Sequence, residues 1–163
     1  MKKTMLVFAL MFFFHPVWAH PQDGMNPEQL MRHYLKVFNE EDMKALEEVY
    51  HFPHVRLVSG QLTQFEDPSK PVVDFAALKK TGWHHSKVNQ VKVLAEGANS
   101  AMVELDFSRF DKDDKEYYRS VGYYVLTKNK GYWQILSLNS IGDRKSTRLN
   151  SSHVSESRMP SSA

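Results

Sequence analysis

The first part of the chain has apolar residues at the three- and four-residue spacing of an amphipathic helix. Its apolar positions share one helical face: Leu30, Tyr34, Val37 and Phe38. Asn26 is followed by Pro27 and, three positions on, by Gln29, the pattern of an N-cap, a first-turn proline and a capping box. The sequence therefore predicts a helix that begins at Pro27.

A second, shorter helix is predicted directly after the first. Asn39 precedes the acidic residues 40–42, and an N-cap followed by negative charge suits the positive end of a helix. The apolar residues then continue at helical spacing: Met43, Leu46, Val49 and Tyr50. We take Asn39 as the predicted N-cap of this helix.

The middle of the chain predicts a hairpin and a third helix. Two runs rich in β-forming residues flank Ser59 and Gly60, which is typical of a hairpin turn. A loop then leads into a short helical pattern over residues 73–80, with Gly82 as its C-terminal stop.

Four strand-like segments follow, separated by the polar turns EGANS, DKDDK and KNKG. Their ranges are 84–96, 100–110, 116–127 and 132–140. Helices and strands are segregated along the chain, so the predicted class is α+β with an antiparallel meander. Both faces of the strands carry aromatic residues, which predicts helices on one face and a partner or ligand on the other.

The first 19 residues have the pattern of a secretory signal peptide. Lys2 and Lys3 precede an apolar run over residues 5–14, and Ala19 ends a short cleavage motif. A membrane-spanning helix needs about 20 apolar residues, and a lipid anchor needs a cysteine, of which the chain has none. We expect cleavage before His20 and a periplasmic or secreted domain without a membrane anchor.

The last 21 residues, 143–163, differ from everything before them. They are rich in serine and lack aromatic residues, and they resemble a translated sequencing-library adapter. Two halves of a common adapter encode residues 143–153 and 157–163 in the correct order and frame. We therefore expect the natural domain to occupy residues 20–142 and exclude the tail from functional reasoning.

The two terminal segments account for the basic net charge. The whole chain has 21 Lys and Arg against 19 Asp and Glu, whereas residues 20–142 have 15 against 17. This slightly acidic domain does not favour a nucleic-acid partner. Because cysteine is absent, disulfides, thiol catalysis and thiolate metal sites are excluded.

The order of elements resembles the nuclear transport factor 2-like superfamily, and within it the SnoaL-like domains. The phrases that carry the resemblance are FNEEDMKALEEVYHFPHVRLVSG, GWHHS, DFSRFDKDDK and YYVLTKNKGYWQILSLNS. The resemblance covers residues 27–140 and implies a cone-shaped, strongly curved sheet around N-terminal helices, with a pocket at its open end. Members include isomerases, cyclases, dehydratases and noncatalytic proteins, so the fold does not supply a function.

Histidines suggest a metal site at first sight. His51 and His54 lie three residues apart, and His84 adjoins His85; neutral imidazoles suit zinc and copper. However, Pro53 breaks the helix that would align the first pair, and adjacent strand residues point to opposite faces. We predict no metal, and expect capping or core-edge histidines instead.

Acid–base chemistry and ligand binding remain as alternatives for the pocket. Isomerases and dehydratases of this fold use a pocket carboxylate or histidine whose pKa lies near neutrality. Aromatic residues with a few polar groups would instead bind a flat apolar ligand. The candidate ligand-binding residues for either role are His54, Trp83, His84, His85, Asp106, Arg109 and Tyr124.

Two hypotheses of function therefore stand. The first is an exported, noncatalytic module, homodimeric through its sheet, that binds a small apolar ligand or another protein. The second is an isomerase, dehydratase or cyclase that needs no cofactor and acts on a small apolar substrate. The residues assign no catalytic group, and Asp106 and Arg109 are predicted on opposite strand faces.

Overall fold

The computed structural model of the chain describes residues 20–143, and side chains up to residue 140. Its helices and strands follow in the order α1 (Pro27–Asn39), α2 (Met43–Val49), β1 (Tyr50–Val58), β2 (Gln61–Phe65), α3 (Phe75–Lys80), β3 (His85–Glu96), β4 (Ser100–Phe110), β5 (Glu116–Asn129) and β6 (Tyr132–Asp143). The predicted signal peptide lies outside these residues, and so does the predicted adapter segment 143–163 except for its first residue, Asp143.

The six strands form one mixed sheet in the order β2-β1-β6-β5-β4-β3. Neighbouring strands are antiparallel except β1 and β6, which are parallel. Register shifts interrupt four of the five pairings, and such bulges bend strands and increase their twist. The predicted α+β class is confirmed, and α3 and the four long strands lie within three residues of their predicted ranges.

Helix α1 begins as the sequence predicts. The Asn26 side chain accepts a hydrogen bond from the Gln29 backbone N–H at 2.9 Å, and the Gln29 side chain accepts one from the Asn26 N–H at 2.9 Å. This capping box satisfies two of the N–H groups that the first helical turn leaves without partners. The predicted apolar face of α1 is buried against the sheet.

The core fills the space between helices α1 and α2 and the inner face of the sheet. Its fully buried members come from both layers: Leu30, Met31, Leu46, Val49, Val103, Leu105, Leu126 and Ile135. Burying a side chain of this size stabilises the fold by roughly 1.5–3 kcal/mol. Within residues 20–143, no helix is long and apolar enough to cross a membrane.

The prediction that Asn39 caps α2 is wrong. Asn39 is the last residue of α1, and the N-cap of α2 is Asp42, whose side chain accepts the Ala45 N–H at 3.0 Å. The Asn39 amide instead faces β3: its Nδ2 donates to the Ser86 carbonyl at 2.8 Å, and its Oδ1 accepts the Ser86 N–H at 2.9 Å. A side chain thus pairs with the backbone at the start of β3 and joins α1 to the sheet.

We expect Asn39→Ala to lower the free energy of unfolding by about 1–3 kcal/mol, because it leaves the partly buried backbone groups of Ser86 without their amide partner. Urea unfolding followed by circular dichroism measures this change. Glu40→Ala, one residue on and exposed, is the control and should stay within about 0.5 kcal/mol of wild type. Equal effects of the two variants would contradict a specific role for the amide pair.

Candidate functional site

A cavity of about 350 Å³ lies between α1, α3 and the inner face of the sheet. Residues from two helices and five strands line it. Among the lining residues, Ala77 in α3 and Thr81 directly after α3 are exposed. The mouth of the cavity therefore lies beside this helix.

Most of the cavity wall is apolar. The apolar lining residues are Leu35, Phe38, Val58, Val73, Ala77, Leu78, Leu105, Phe107 and Leu138. Gly122 makes room for this wall, because a Cβ atom there would lie 2.8 Å from the Tyr124 ring and 3.0 Å from Leu138 Cδ1. A glycine inside a strand commonly marks such a close approach. Its absent side chain lets both neighbours keep their positions at the cavity.

Tyrosines supply neutral polar groups on the inner side of the cavity. Tyr34 and Tyr124 line it, with ring centroids 5.9 Å apart. The hydroxyl groups of Tyr34 and Tyr50 lie 3.5 Å apart. Burial raises the pKa values of Tyr50 and Tyr124 well above the ordinary value. These hydroxyl groups therefore stay protonated at neutral pH and can donate hydrogen bonds.

A bulge places one tyrosine in the wall of the cavity and its sequence neighbour against a lining residue. The β4–β5 register shifts after the Arg109–Tyr118 pair. Tyr118 lines the cavity, and the hydroxyl of Tyr117 lies 3.1 Å from Thr81 Oγ, which also lines it. Neighbours on a regular strand would face opposite sides of the sheet. The strict alternation used on the sequence therefore fails at this point.

Two arginines carry the positive charge of the cavity. Arg109 lines it from β4, and its guanidinium carbon lies 4.9 Å from the ring centroid of Tyr118. Arg56 lines it from β1 and donates a hydrogen bond from Nη1 to the Val72 carbonyl. The sequence analysis proposed Arg109 and missed Arg56. The sequence does contain a signal for Arg56, because it follows the candidate His54 by two positions and therefore lies on the same strand face.

One carboxylate, that of Asp74, is found among the described lining residues. Asp74 is the N-cap of α3, and its Oδ1 accepts the Ala77 N–H at 2.8 Å. The residue is exposed, which places it at the rim. The hydrogen-bond partner of its carboxylate is thus a backbone group, and the negative charge faces solvent as well as the cavity.

Of the seven candidate residues, Arg109 and Tyr124 line the cavity. Trp83 lies behind its wall, where the ring packs 5.5 Å from Phe38 and Nε1 donates to Ser86 Oγ at 2.9 Å. Because Phe38 and Ser86 themselves line the cavity, Trp83 supports lining residues and does not itself border the space.

The two adjacent histidines lie away from the cavity, at the start of β3. Their Nδ1 atoms are 3.2 Å apart. His85 stacks on Phe110 at 5.1 Å, and its Nε2 lies 3.2 Å from the Asp114 carboxylate. His84 is exposed. The structure therefore places both in a surface cluster beside the DKDDK turn.

Asp106 lies on the face of β4 opposite Arg109, as predicted. Arg119 donates to both of its carboxylate oxygens at 3.0 Å. The Asn89 amide donates to Asp106 Oδ1 at 3.0 Å and to Ser108 Oγ at 2.8 Å. Asn89 is the unpaired residue at a register shift of β3. This network ties three neighbouring strands together on the outer face of the sheet.

His54 is completely buried in β1. Its Nδ1 lies 3.1 Å from the Ile135 carbonyl, and its ring lies 4.6 Å from that of Tyr50. Because a carbonyl only accepts, Nδ1 carries the proton, and Nε2 is buried without a hydrogen bond to the described residues. Burial lowers the pKa of His54 to about 4. Within residues 20–140, no three histidine, aspartate or glutamate side chains are placed to share a metal ion.

Comparison with known proteins identifies relatives by family and by fold. A family model described as NTF2-like protein (DUF6841) matches residues 26–141. No curated protein sequence matches the chain significantly.

Similar solved structures share the fold at low sequence identity. An NTF2-like protein with a cystatin-like fold from Novosphingobium aromaticivorans is 15% identical (TM-score 0.56; 76% of this chain and 85% of that chain covered). A protein of unknown function with a cystatin-like fold from Nostoc punctiforme is 12% identical (0.58; 71% and 86%). A hexachlorocyclohexane dehydrochlorinase from Novosphingobium barchaimii is 13% identical (0.54; 68% and 80%). At these identities the similarity extends to the fold.

We expect the free energy of unfolding to fall with decreasing pH between 6.5 and 4, by up to about 1.4 kcal/mol per pH unit from His54. In this interval the unfolded chain protonates His54 at its ordinary pKa of 6.5, while the folded protein keeps it neutral down to about 4. Unfolding therefore takes up a proton, and acid favours it.

Urea unfolding at several pH values measures this slope. His54→Gln, whose amide can still donate to the Ile135 carbonyl, should reduce the slope. His33, whose pKa is lowered by its own burial, contributes in the same direction in both proteins. Leu62→Gln, at a 69% exposed position that carries no titratable group, is the control and should keep the wild-type slope. An unchanged slope in His54→Gln would show that His54 is not the group that titrates.

Proposed function

The chain belongs to the family of NTF2-like proteins described as DUF6841, and on this premise we propose that it is a noncatalytic module that binds a small, largely apolar molecule in its cavity. The single observation that carries the proposal is the cavity of about 350 Å³ with its mainly apolar wall. Ligand sites are typically concave, apolar and supplied with a few placed polar groups. A domain that served only as a protein interaction module would be expected to fill this space.

Catalysis by proton transfer has less support from the lining. The described lining residues include no histidine. Their one carboxylate, Asp74, accepts a backbone N–H at the rim. The raised pKa of the Tyr124 phenol keeps it protonated at neutral pH, so it cannot accept a proton there. A general base needs a titratable group within reach of the substrate and a pKa near the working pH. An isomerase, dehydratase or cyclase activity would have to rely on Asp74.

We further propose that the protein acts outside the cytoplasm. Support comes from the first 19 residues, with their paired lysines, apolar run and cleavage motif. The absence of cysteine means that the exported domain would depend on its core and not on disulfides.

Native mass spectrometry of the protein purified gently from the periplasm of a bacterial host tests binding and processing together. We expect a chain that begins at His20 and a fraction that retains a small molecule. Leu138→Trp, which places a larger side chain at the cavity, should lose the retained mass, while Leu62→Trp, at a 69% exposed position, should keep it. Circular dichroism confirms that both variants fold.

Each outcome of this experiment bears on a separate statement. Equal retention by the two tryptophan variants would place the ligand outside the cavity and contradict the proposed site. An uncleaved chain would contradict export. A retained molecule that the wild-type protein converts, but Asp74→Asn does not, would favour the enzymatic alternative.

We also propose that the protein forms a homodimer through the sheet. Strand β3 is an edge strand, and the β3–β4 hairpin leaves Val93, Leu94 and Met102 at 36%, 39% and 46% exposure. Exposed apolar groups beside an open strand edge are typical of an interaction surface.

Met102→Asp is expected to shift the dimer to monomer, because the interface would then have to bury a charge. Sedimentation velocity over a concentration series measures the change. Leu62→Asp, at the other end of the sheet, is the control and should leave the dimer intact. A monomeric wild-type protein would refute the proposed dimer directly.

A further inference from the structure

We propose that the ligand carries a carboxylate, and that Arg56 and Arg109 bind it inside the cavity. The inference rests on the proposed binding function and adds the chemical class of the ligand, an aromatic or alicyclic monocarboxylate. It follows from the charges of the lining, from the hydrogen bonds of the two arginines and from the apolar remainder of the wall.

The balance of charge in the cavity is the first observation. The described lining contains two guanidinium groups and one carboxylate. That carboxylate, Asp74, is exposed at the rim and accepts the Ala77 N–H. Neither Arg56 nor Arg109 forms an ion pair with any residue in the described part of the chain. An enclosed site with uncompensated positive charge favours an anion.

Arg109 supplies the second observation. Its Nε is buried and has no hydrogen-bond partner within the described residues. A buried donor without a partner lowers stability, so such groups generally meet an acceptor. The guanidinium plane is held by aromatic rings, with its carbon 4.9 Å from the Tyr118 centroid and 5.7 Å from the Phe107 centroid. These rings orient the guanidinium of Arg109 at the cavity, where its charge can meet the acceptor of a ligand.

Arg56 supplies the third observation. Its Nη1 donates to the Val72 carbonyl. This hydrogen bond holds the guanidinium group in place at the wall of the cavity. Arg56 and Arg109 both act electrostatically on the phenol of Tyr124, against the effect of burial on its pKa. The two cations and the protonated Tyr124 hydroxyl all line this cavity. Planar guanidinium groups match the geometry of a carboxylate and bind it through paired hydrogen bonds.

The rest of the wall defines the body of the ligand. Phe38, Leu105 and Leu138 face the same space, and their side chains offer no hydrogen bond. A carboxylate attached to a ring system would use both halves of the lining. A small polar acid would leave the apolar half in contact with water, and a neutral hydrocarbon would leave the arginines without an acceptor.

A matched pair of ligands tests the inference on the full-length protein. Naphthalene-2-carboxylate and naphthalene-2-carboxamide share a shape and differ in charge. We expect isothermal titration calorimetry at pH 7 to give roughly tenfold or tighter binding of the carboxylate, as charge-assisted hydrogen bonds imply. Arg109→Met should remove this preference while it keeps the affinity for the amide within about twofold, because the apolar wall is intact.

Further variants separate a specific role from a general one. Arg56→Met should reduce the preference for the carboxylate in the same way. Arg109→Lys keeps the charge but loses the planar fork, and should bind the carboxylate with intermediate affinity. Arg32→Met, at an exposed arginine of α1 that pairs with Glu28, is the matched control and should bind both ligands like wild type. Circular dichroism melting checks that every variant is folded.

The outcomes test the proposed ligand class and the proposed binding function separately. Equal binding of the carboxylate and the amide would overturn the inference and leave the proposed binding function standing. A carboxylate preference that survives in Arg109→Met and Arg56→Met would also overturn it, by placing the anion elsewhere. Failure of both ligands to bind would count against the cavity as a site for such molecules, and would overturn the proposed function together with the inference.

Discussion

The structure depends on one geometric constraint, which is that a short helix must cover the inner face of a much longer sheet. Helix α1 has 13 residues and is about 20 Å long at 1.5 Å per residue. Strand β5 has 14 residues and extends about 46 Å at ~3.3 Å per residue. The helix therefore covers part of the sheet and forms the core there. The cavity lies beyond the tightly packed part of this layer, between α1, α3 and the sheet, and its wall is built from the same strands that form the core.

Much of this architecture could be predicted from local patterns. The helix α1 was recognisable because a capping box and an apolar face agree with each other, and the long strands because polar turns separate them. Asn39 could not be placed in the same way. An asparagine before three acidic residues suits a helix cap, and no local pattern shows that Ser86, 47 positions later, would take up its amide. The tertiary contact overrode the local preference.

The candidate site was predicted less well, because residue type does not determine the partner of a side chain. Trp83, His84 and His85 are adjacent in sequence and chemically suitable, yet one supports the wall and two join a surface cluster. The alternation of side chains along a strand predicted correctly that Asp106 and Arg109 lie on opposite faces of the sheet. It also indicates that Arg56 shares a face with His54. This alternation fails where a bulge intervenes, as at Tyr117 and Tyr118. Bulges arise from the curvature of the whole sheet, and a single strand sequence does not reveal them.

Helix α3 lies at the mouth of the cavity and is attached there mainly by contacts at the surface. None of its six residues is buried, and its attachments include an exposed ion pair of 2.7 Å between Lys79 and Glu41 and the contact of the following Thr81 with Tyr117. Segments with so little buried area open locally at a smaller free energy than the whole domain needs to unfold. Access to the cavity beside α3 therefore depends on contacts that are largely separate from the strands of its wall, and the two can change independently in evolution.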